Sequence, residues 1–323
     1  MVAGTSQTPA TRLQMVLAFA AIYVIWGSTY LAIRFAVETL PPFLMMGTRF
    51  LIGGAFFYWW VRHSGEPVPT GKQVKSASLV GILMLVCATG VVGWAEQSVP
   101  SGLTALLVSG SPAWFVLIDW LRPKGTRPGA LTILGLIVGF IGVIILIGPD
   151  KILMGDFSTA YLIGAGALIF ASFSWSFGSI LSRHIDMPTS LLTAAAIELL
   201  VAGVACILLG LMFGERVAWE AVSLKSVLGL AFLTIFGAIA FAAFVFLLRA
   251  TTPSKVSTYA YINPVVAVIL GTTLGGEIFD ARMAIASVVI IGAVILITSA
   301  KARKSEPAPQ STPVTALADS EVA

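Results

Sequence analysis

The spacing of its charges constrains this chain more than any other feature. Eight stretches contain no Asp, Glu, Lys or Arg: 13–33, 76–95, 97–118, 128–149, 157–182, 226–248, 256–276 and 283–300. Two more, 39–61 around Arg49 and 187–214 around Glu198, carry one interior charge each. A helix crossing a bilayer needs about 17–25 mainly apolar residues, because nothing in the lipid core can hydrogen-bond an unpaired backbone. The pattern predicts an all-α integral membrane protein with ten transmembrane helices joined by short connections.

Composition agrees. Of the 323 residues, 58% are hydrophobic and 11% charged, with a mean hydropathy of +0.97. Soluble domains run near 25% charged, so a cytoplasmic enzyme, a secreted disulfide scaffold and a disordered protein are all excluded. Cys87 and Cys206 lie within apolar stretches and without metal-ligand spacing. The predicted organisation is a tail over 1–12, a first block over 13–149, a second over 157–300 and a disordered tail over 301–323. The first apolar stretch is longer than a signal-peptide core and runs into the bulky Trp26-Gly27-Ser28-Thr29-Tyr30, so it reads as a retained helix.

Orientation follows from the 19 Lys and Arg residues, which accumulate in cytoplasmic loops. With the first helix entering from the cytoplasm, thirteen fall inside and five outside (Arg34, Lys151, Arg216, Lys225 and Arg282), while Arg49 stays within the membrane. Both tails are therefore predicted to be cytoplasmic. The net charge of +4 and pI near 9.2 are accounted for by topology and need no nucleic-acid partner.

A shift of 149 residues superimposes Trp26 on Trp175, Arg34 on Arg183 and Gly54 on Gly203. Pro112 corresponds to Pro264, each midway along its stretch. Two blocks of five helices follow, and an odd number makes the second block enter from the opposite side. That is the inverted repeat with which many transporters build two alternative states.

The same features resemble the drug/metabolite transporter superfamily, EamA type. The resemblance rests on Trp26-Gly27-Ser28, Arg49-Phe50, the run from Pro100 to Leu107 leading to Pro112, and Pro253-Ser254, Asn263-Pro264-Val265 and Gly276-Glu277 in the second block. It covers roughly 13–300. The first block departs from the pattern in reading Trp120-Leu121-Arg122-Pro123 where Gly-Glu-Arg is expected. What the likeness implies is a small-metabolite or amino-acid exporter, similar to the amino-acid exporters of the YddG kind, aromatic substrates included.

Breaks in spanning helices point to transport sites, since freed backbone groups must face protein or water. Ser109, Ser111 and Pro112 mark one such place; Tyr259, Tyr261, Asn263 and Pro264 mark its counterpart. A second constellation comes from the first helix of each block: Tyr23, Trp26, Ser28 and Tyr30, against Trp175, Ser176 and Ser179. Mid-helix Trp beside small hydroxyls suits a wall that receives a flat or apolar side chain, and equally suits helix packing. Arg49 and Glu198 occupy equivalent positions in the two blocks. They are expected to couple charge, as substrate or proton ligands or as a buried pair.

The scarcity of charge also limits the cargo. Phosphorylated solutes call for several cations, and multiply charged cations for several acids; a zwitterionic or neutral small molecule needs the least compensation. No nucleotide-binding Gly-x4-Gly-Lys motif occurs, no His/Glu zinc cluster occurs, and His63 and His184 read as loop residues. The expectation is therefore a secondary transporter without cofactors, partnered by its solute and the bilayer, as a monomer or homodimer. An uncoupled facilitator and a multidrug exporter remain alternatives, and an intramembrane enzyme fits poorly. The Gly135/Gly139 pair on the fifth helix is expected to pack against the tenth, or to make a dimer.

Overall fold

The structure is a computed structural model that describes residues 11–122, 127–147, 158–251 and 259–305. All regular structure among those residues is helical. The tails 1–10 and 306–323, Lys124, Lys151, Asp156, Pro253-Ser254, Lys255 and the side chain of Tyr261 lie outside the described residues.

The helices in chain order are α1 (Arg12–Ala36), α2 (Pro42–His63), α3 (Gly71–Ala95), α4 (Ser101–Leu121), α5 (Ala130–Ile147), α6 (Thr159–Leu181), α7 (Leu191–Met212), α8 (Leu224–Ala250), α9 (Tyr259–Thr273) and α10 (Ala281–Ser305). Six are candidate membrane spans by length and composition: α1, α3, α4, α6, α7 and, within α8, Leu224–Phe244. Shorter apolar helices run over Ala130–Ile145, Ile262–Thr273 and Ala281–Leu296. Phe140 and Val288 are 68% and 73% exposed, a surface that suits lipid.

Local chemistry sets the helix ends. Thr11 with Gln14 and Thr70 with Gln73 form capping boxes, while Ser158, Ser190 and Ser223 each accept from the N–H three residues on. Pro42 opens α2, where a missing N–H costs nothing. Past the C-ends of α2 and α7, Gly65 (φ 68°) and Gly214 (φ 76°) turn left-handed, and the next N–H, of Glu66 or Glu215, donates five residues back to Val61 or Gly210. An added methyl at Gly214 would meet nothing within 4 Å, so Gly214→Ala isolates backbone strain. It is expected to cost about 1–2 kcal/mol in denaturant unfolding of the detergent-solubilised protein, without altering its elution profile.

Small residues let the helices approach. A Cβ at Gly47 would come to 2.9 Å from the Gly203 carbonyl, and one at Gly54 to 2.9 Å from the Leu200 nitrogen, so α2 and α7 meet almost backbone to backbone. Gly139 faces Ala293 and Gly142 faces Ile290, which places the glycines of α5 against α10, as the sequence suggested for Gly139. α1 packs on α8 and α9, α3 on α6 and α7, and α4 on α6 and α9. The core includes Ile22, Met46, Val99, Leu106 and Leu168, all fully buried.

Two helices carry wider, π-type turns, at Ala21–Ile25 in α1 and Ile82–Gly90 in α3. Such turns recur at functional sites; the second gives Leu85, Ala88 and Thr89 to the cavity described next, and the first ends just before Trp26, which also lines it.

Candidate functional site

A cavity of about 670 Å³ runs along the centre of the bundle, walled by α1–α4 and α6–α9. Its lining is mainly apolar and aromatic. Trp26 meets Tyr259 edge-on (centroids 5.1 Å apart) and Phe244 at 5.0 Å, and Phe50, Phe115, Trp175 and Phe241 complete the aromatic walls. The Tyr259 hydroxyl also interacts with the Trp175 side chain, joining α6 to α9.

Why the chain opens here is visible in α4. Ser109 and Gly110 form a turn between the helical pieces Ser101–Val108 and Ser111–Leu121, and Pro112 has no N–H to continue the ladder. The serine hydroxyls take the freed carbonyls: Ser109 donates to Leu106 O (2.7 Å) and Ser111 to Val108 O (2.6 Å). The expected counterpart is different. α9 stays helical through Pro264, which lies inside it, and the helix runs on to Thr273 although the proline has no N–H to donate. Asn263, in the orientation that satisfies its amide, donates to Tyr23 O and Ile22 O (3.2 and 3.3 Å), carbonyls of the wide turn in α1.

Of the residues singled out from the sequence, Trp26, Tyr30, Arg49, Ser109, Ser111, Pro112, Trp175, Tyr259, Asn263 and Pro264 line this one cavity. Four others do not. Tyr23 packs on the Phe19 ring, and Ser28 donates to Ile25 O (2.8 Å). Ser179 donates to Trp175 O (2.7 Å), and the fully buried Ser176 lies between Ser111 O (3.1 Å) and Ser172 O (2.9 Å). A helical serine can always satisfy itself one turn back, so its presence alone never said which way it faced. Thr89, Thr234 and Gly237 line the wall without having stood out in the sequence.

The electrostatics also differ from expectation. Arg49 lies over the Phe50 ring (4.8 Å) and faces the cavity, with no ion pair among the described residues. Glu198 sits where α7 crosses Gly81 of α3 and is not part of the cavity wall, so the two do not pair. The acid within electrostatic range of Arg49 is Glu96, one residue past α3. Glu96 is completely buried, and both carboxylate oxygens lack a hydrogen-bond partner. Sequence spacing placed it near a helix end; nothing local signalled that other helices cover it.

Arg183 marks one end of the cavity, while Tyr30, Ile33 and Val92 mark the other. Beyond that second end lies a separate cleft of about 450 Å³, bordered by Val37, Trp94 and Gln97. At the cleft, Glu215 holds the start of α2, accepting from Phe43 N (3.2 Å) and Leu44 N (2.9 Å).

Known proteins place this architecture. The model of the EamA-like transporter family matches twice, over residues 13–148 and 162–299. The chain is 36% identical to the uncharacterized inner membrane transporter YedA of Escherichia coli K12 over 283 residues, 87% of this chain and 89% of that protein. The uncharacterized transporter YvbV of Bacillus subtilis is 22% identical over 302 residues, 93% of this chain and 96% of that one. A crystal structure with 22% sequence identity shares the fold with a TM-score of 0.61, covering 90% of this chain and 98% of its own. By the double family match and the extent of its likeness to YedA, the chain belongs to the EamA-like transporter family.

Proposed function

We propose that this protein is a secondary transporter of the inner membrane that exports small zwitterionic or neutral metabolites, amino acids with aromatic side chains foremost, by alternating access. The observation that carries the reading is the central cavity: aromatic walls drawn from both halves, with Arg49, which makes no ion pair among the described residues, on its inner wall. The indole and phenol faces suit a flat side chain, Arg49 suits a carboxylate, and Ser109, Thr89 and Asn263 offer polar contacts for the rest.

The architecture we propose for it is ten crossings in two inverted blocks. Several observations support this. The family model matches once per block. Helices pair as an exchange of blocks requires: α2 with α7, α5 with α10, α4 with α9, and α1–α8 alongside α3–α6. The left-handed Gly65 and Gly214, each followed by Glu, stand 149 residues apart like the two tryptophans. With both tails cytoplasmic by the distribution of Lys and Arg, the cavity end at Arg183 faces the cytoplasm and the end at Tyr30 faces outward, an arrangement poised to load solute from inside.

Counterflow in proteoliposomes tests the reading. Internal phenylalanine or tryptophan is expected to accelerate entry of labelled phenylalanine. Arg49→Ala is expected to raise the half-saturating concentration about 10–100-fold, the worth of one charge-assisted hydrogen bond. If no amino acid, alanine included, exchanges above protein-free liposomes, the substrate assignment fails.

A further inference from the structure

The two cavities approach each other at a thin partition. Ile33 belongs to the central cavity and Val37, four residues on and just past the end of α1, to the outer cleft; Val92 belongs to the first and Trp94 to the second. Four helical residues rise about 6 Å. Inside that layer lie Arg34 and Glu96, neither of which lines either space. The Arg34 guanidinium donates to the backbone carbonyl of Glu96 and leaves the carboxylate itself unbonded.

A buried carboxylate with no hydrogen-bond partner from the protein is disfavoured as an anion, since burial without partners penalises the charged form. In the closed partition the group is stable as the neutral acid. Its charged neighbours are Arg34 on α1, Arg49 on α2 and Glu277 after α9, and the neutral Tyr30 phenol of α1 stands beside them. α6, which covers the adjoining turn through Gly164 against Ser98 and Val99, brings no charge to it. The cleft beyond carries Glu38, Glu215 and Arg216. Opening the partition to water would therefore leave an ionised Glu96 next to Arg34, a pair that needs only a side-chain rotation to form.

We propose that Glu96 is the proton-binding site of the transporter, exposed in turn to the outer cleft and the central cavity, so that one proton enters for each solute exported. The carboxylate takes its proton from outside water as the outward state closes and releases it to the cytoplasm-facing cavity when solute is loaded. Solute and proton occupy neighbouring positions across Tyr30 rather than one site. This deepens the export reading and depends on it for the direction of coupling.

The test separates the two. Infrared difference spectra of the wild-type protein in liposomes, titrated between about pH 5 and pH 9, are expected to show a protonated-carboxyl stretch that disappears as pH rises. The band is expected to vanish in Glu96→Gln and to shift in Glu96→Asp, which keeps a carboxyl should the amide variant fold poorly. In proteoliposomes, a pH gradient is expected to drive about tenfold accumulation of phenylalanine per pH unit. Glu96→Gln should lose that accumulation while retaining phenylalanine counterflow. Absence of a titrating band, or its persistence in both variants, overturns the proposal, as does gradient-driven uptake by Glu96→Gln. A titrating Glu96 band without any phenylalanine exchange would sink the amino-acid assignment and leave the proton site standing.

Discussion

Glu277→Ala is expected to destabilise the folded protein by about 3–5 kcal/mol, the range for leaving buried donors or charges without their partners. The Glu277 carboxylate is what α4 begins on. One oxygen accepts from Ser101 N and Ser101 Oγ, both at 2.6 Å, and the other accepts from Gly102 N at 3.0 Å. Ser101 is fully buried, so alanine would leave three donors facing an apolar interior. The positive end of the helix dipole would lose its counter-charge as well. The niche is shaped for this acid: a methyl at Gly271 would come to 2.5 Å from its carboxylate, and one at Gly102 to 3.2 Å. Glu277→Gln keeps an acceptor of the same length and is expected to lose about half as much. Chemical unfolding in detergent, followed by tryptophan fluorescence, reads the difference. An alanine variant within about 1 kcal/mol of the wild type would show that the cap is ornamental and that α4 is held by packing alone.

Glu277 and Glu215 together explain what the Gly-Glu signature contributes. Each glutamate directly follows a left-handed glycine, Gly276 or Gly214, and each caps a helix start belonging to the opposite half, α4 or α2. The glycine turns the chain, and the acid reaches across the seam. The dipeptide itself was legible in the sequence at 276–277, but its target was not, because 176 residues separate Glu277 from Ser101.

That contrast runs through the whole molecule. The helices were legible because lipid admits no unpaired backbone and few charges, so a charge-free run has few alternatives. The inward placement of Trp26 and Trp175 was legible, because both are too far from the helix ends to be interfacial anchors, and both line the cavity. The wide turns in α1 and α3 leave no trace in residue type, and neither does the continuity of α9 through Pro264. Glu96 shows the limit most clearly. Its own segment reads as the edge of an apolar run, yet it is completely buried, with Arg34, Arg49 and Glu277 from distant parts of the chain within electrostatic range. Facing direction was equally hidden: Ser109 and Ser176 look alike in sequence, yet one lines the cavity and the other lies sealed between α4 and α6.

Gly237→Trp is expected to abolish transport while leaving the fold intact. Gly237 lies on the face of α8 that also presents Leu233, Thr234, Ala238 and Phe241 to the cavity, and a Cβ there would meet nothing within 4 Å. An indole at this position must extend into the space between Trp26, Arg49 and Trp175, where the solute would sit. Replacing a mid-helix glycine also removes its backbone-entropy penalty, so stability is expected to hold or rise by about 0.5–1 kcal/mol. Two controls separate blockage from damage. Gly237→Ala, with only a methyl, should transport like the wild type; Gly166→Trp, on an exposed and equally open face of α6 away from the cavity, should fold and transport normally. Flux measured by phenylalanine counterflow, beside the unfolding midpoint of each variant, gives the answer. A Gly237→Trp protein that is stable and still carries solute would mean that the central cavity is not the route, because the indole would stand in the space beside Trp26, Arg49 and Trp175 that the solute would need.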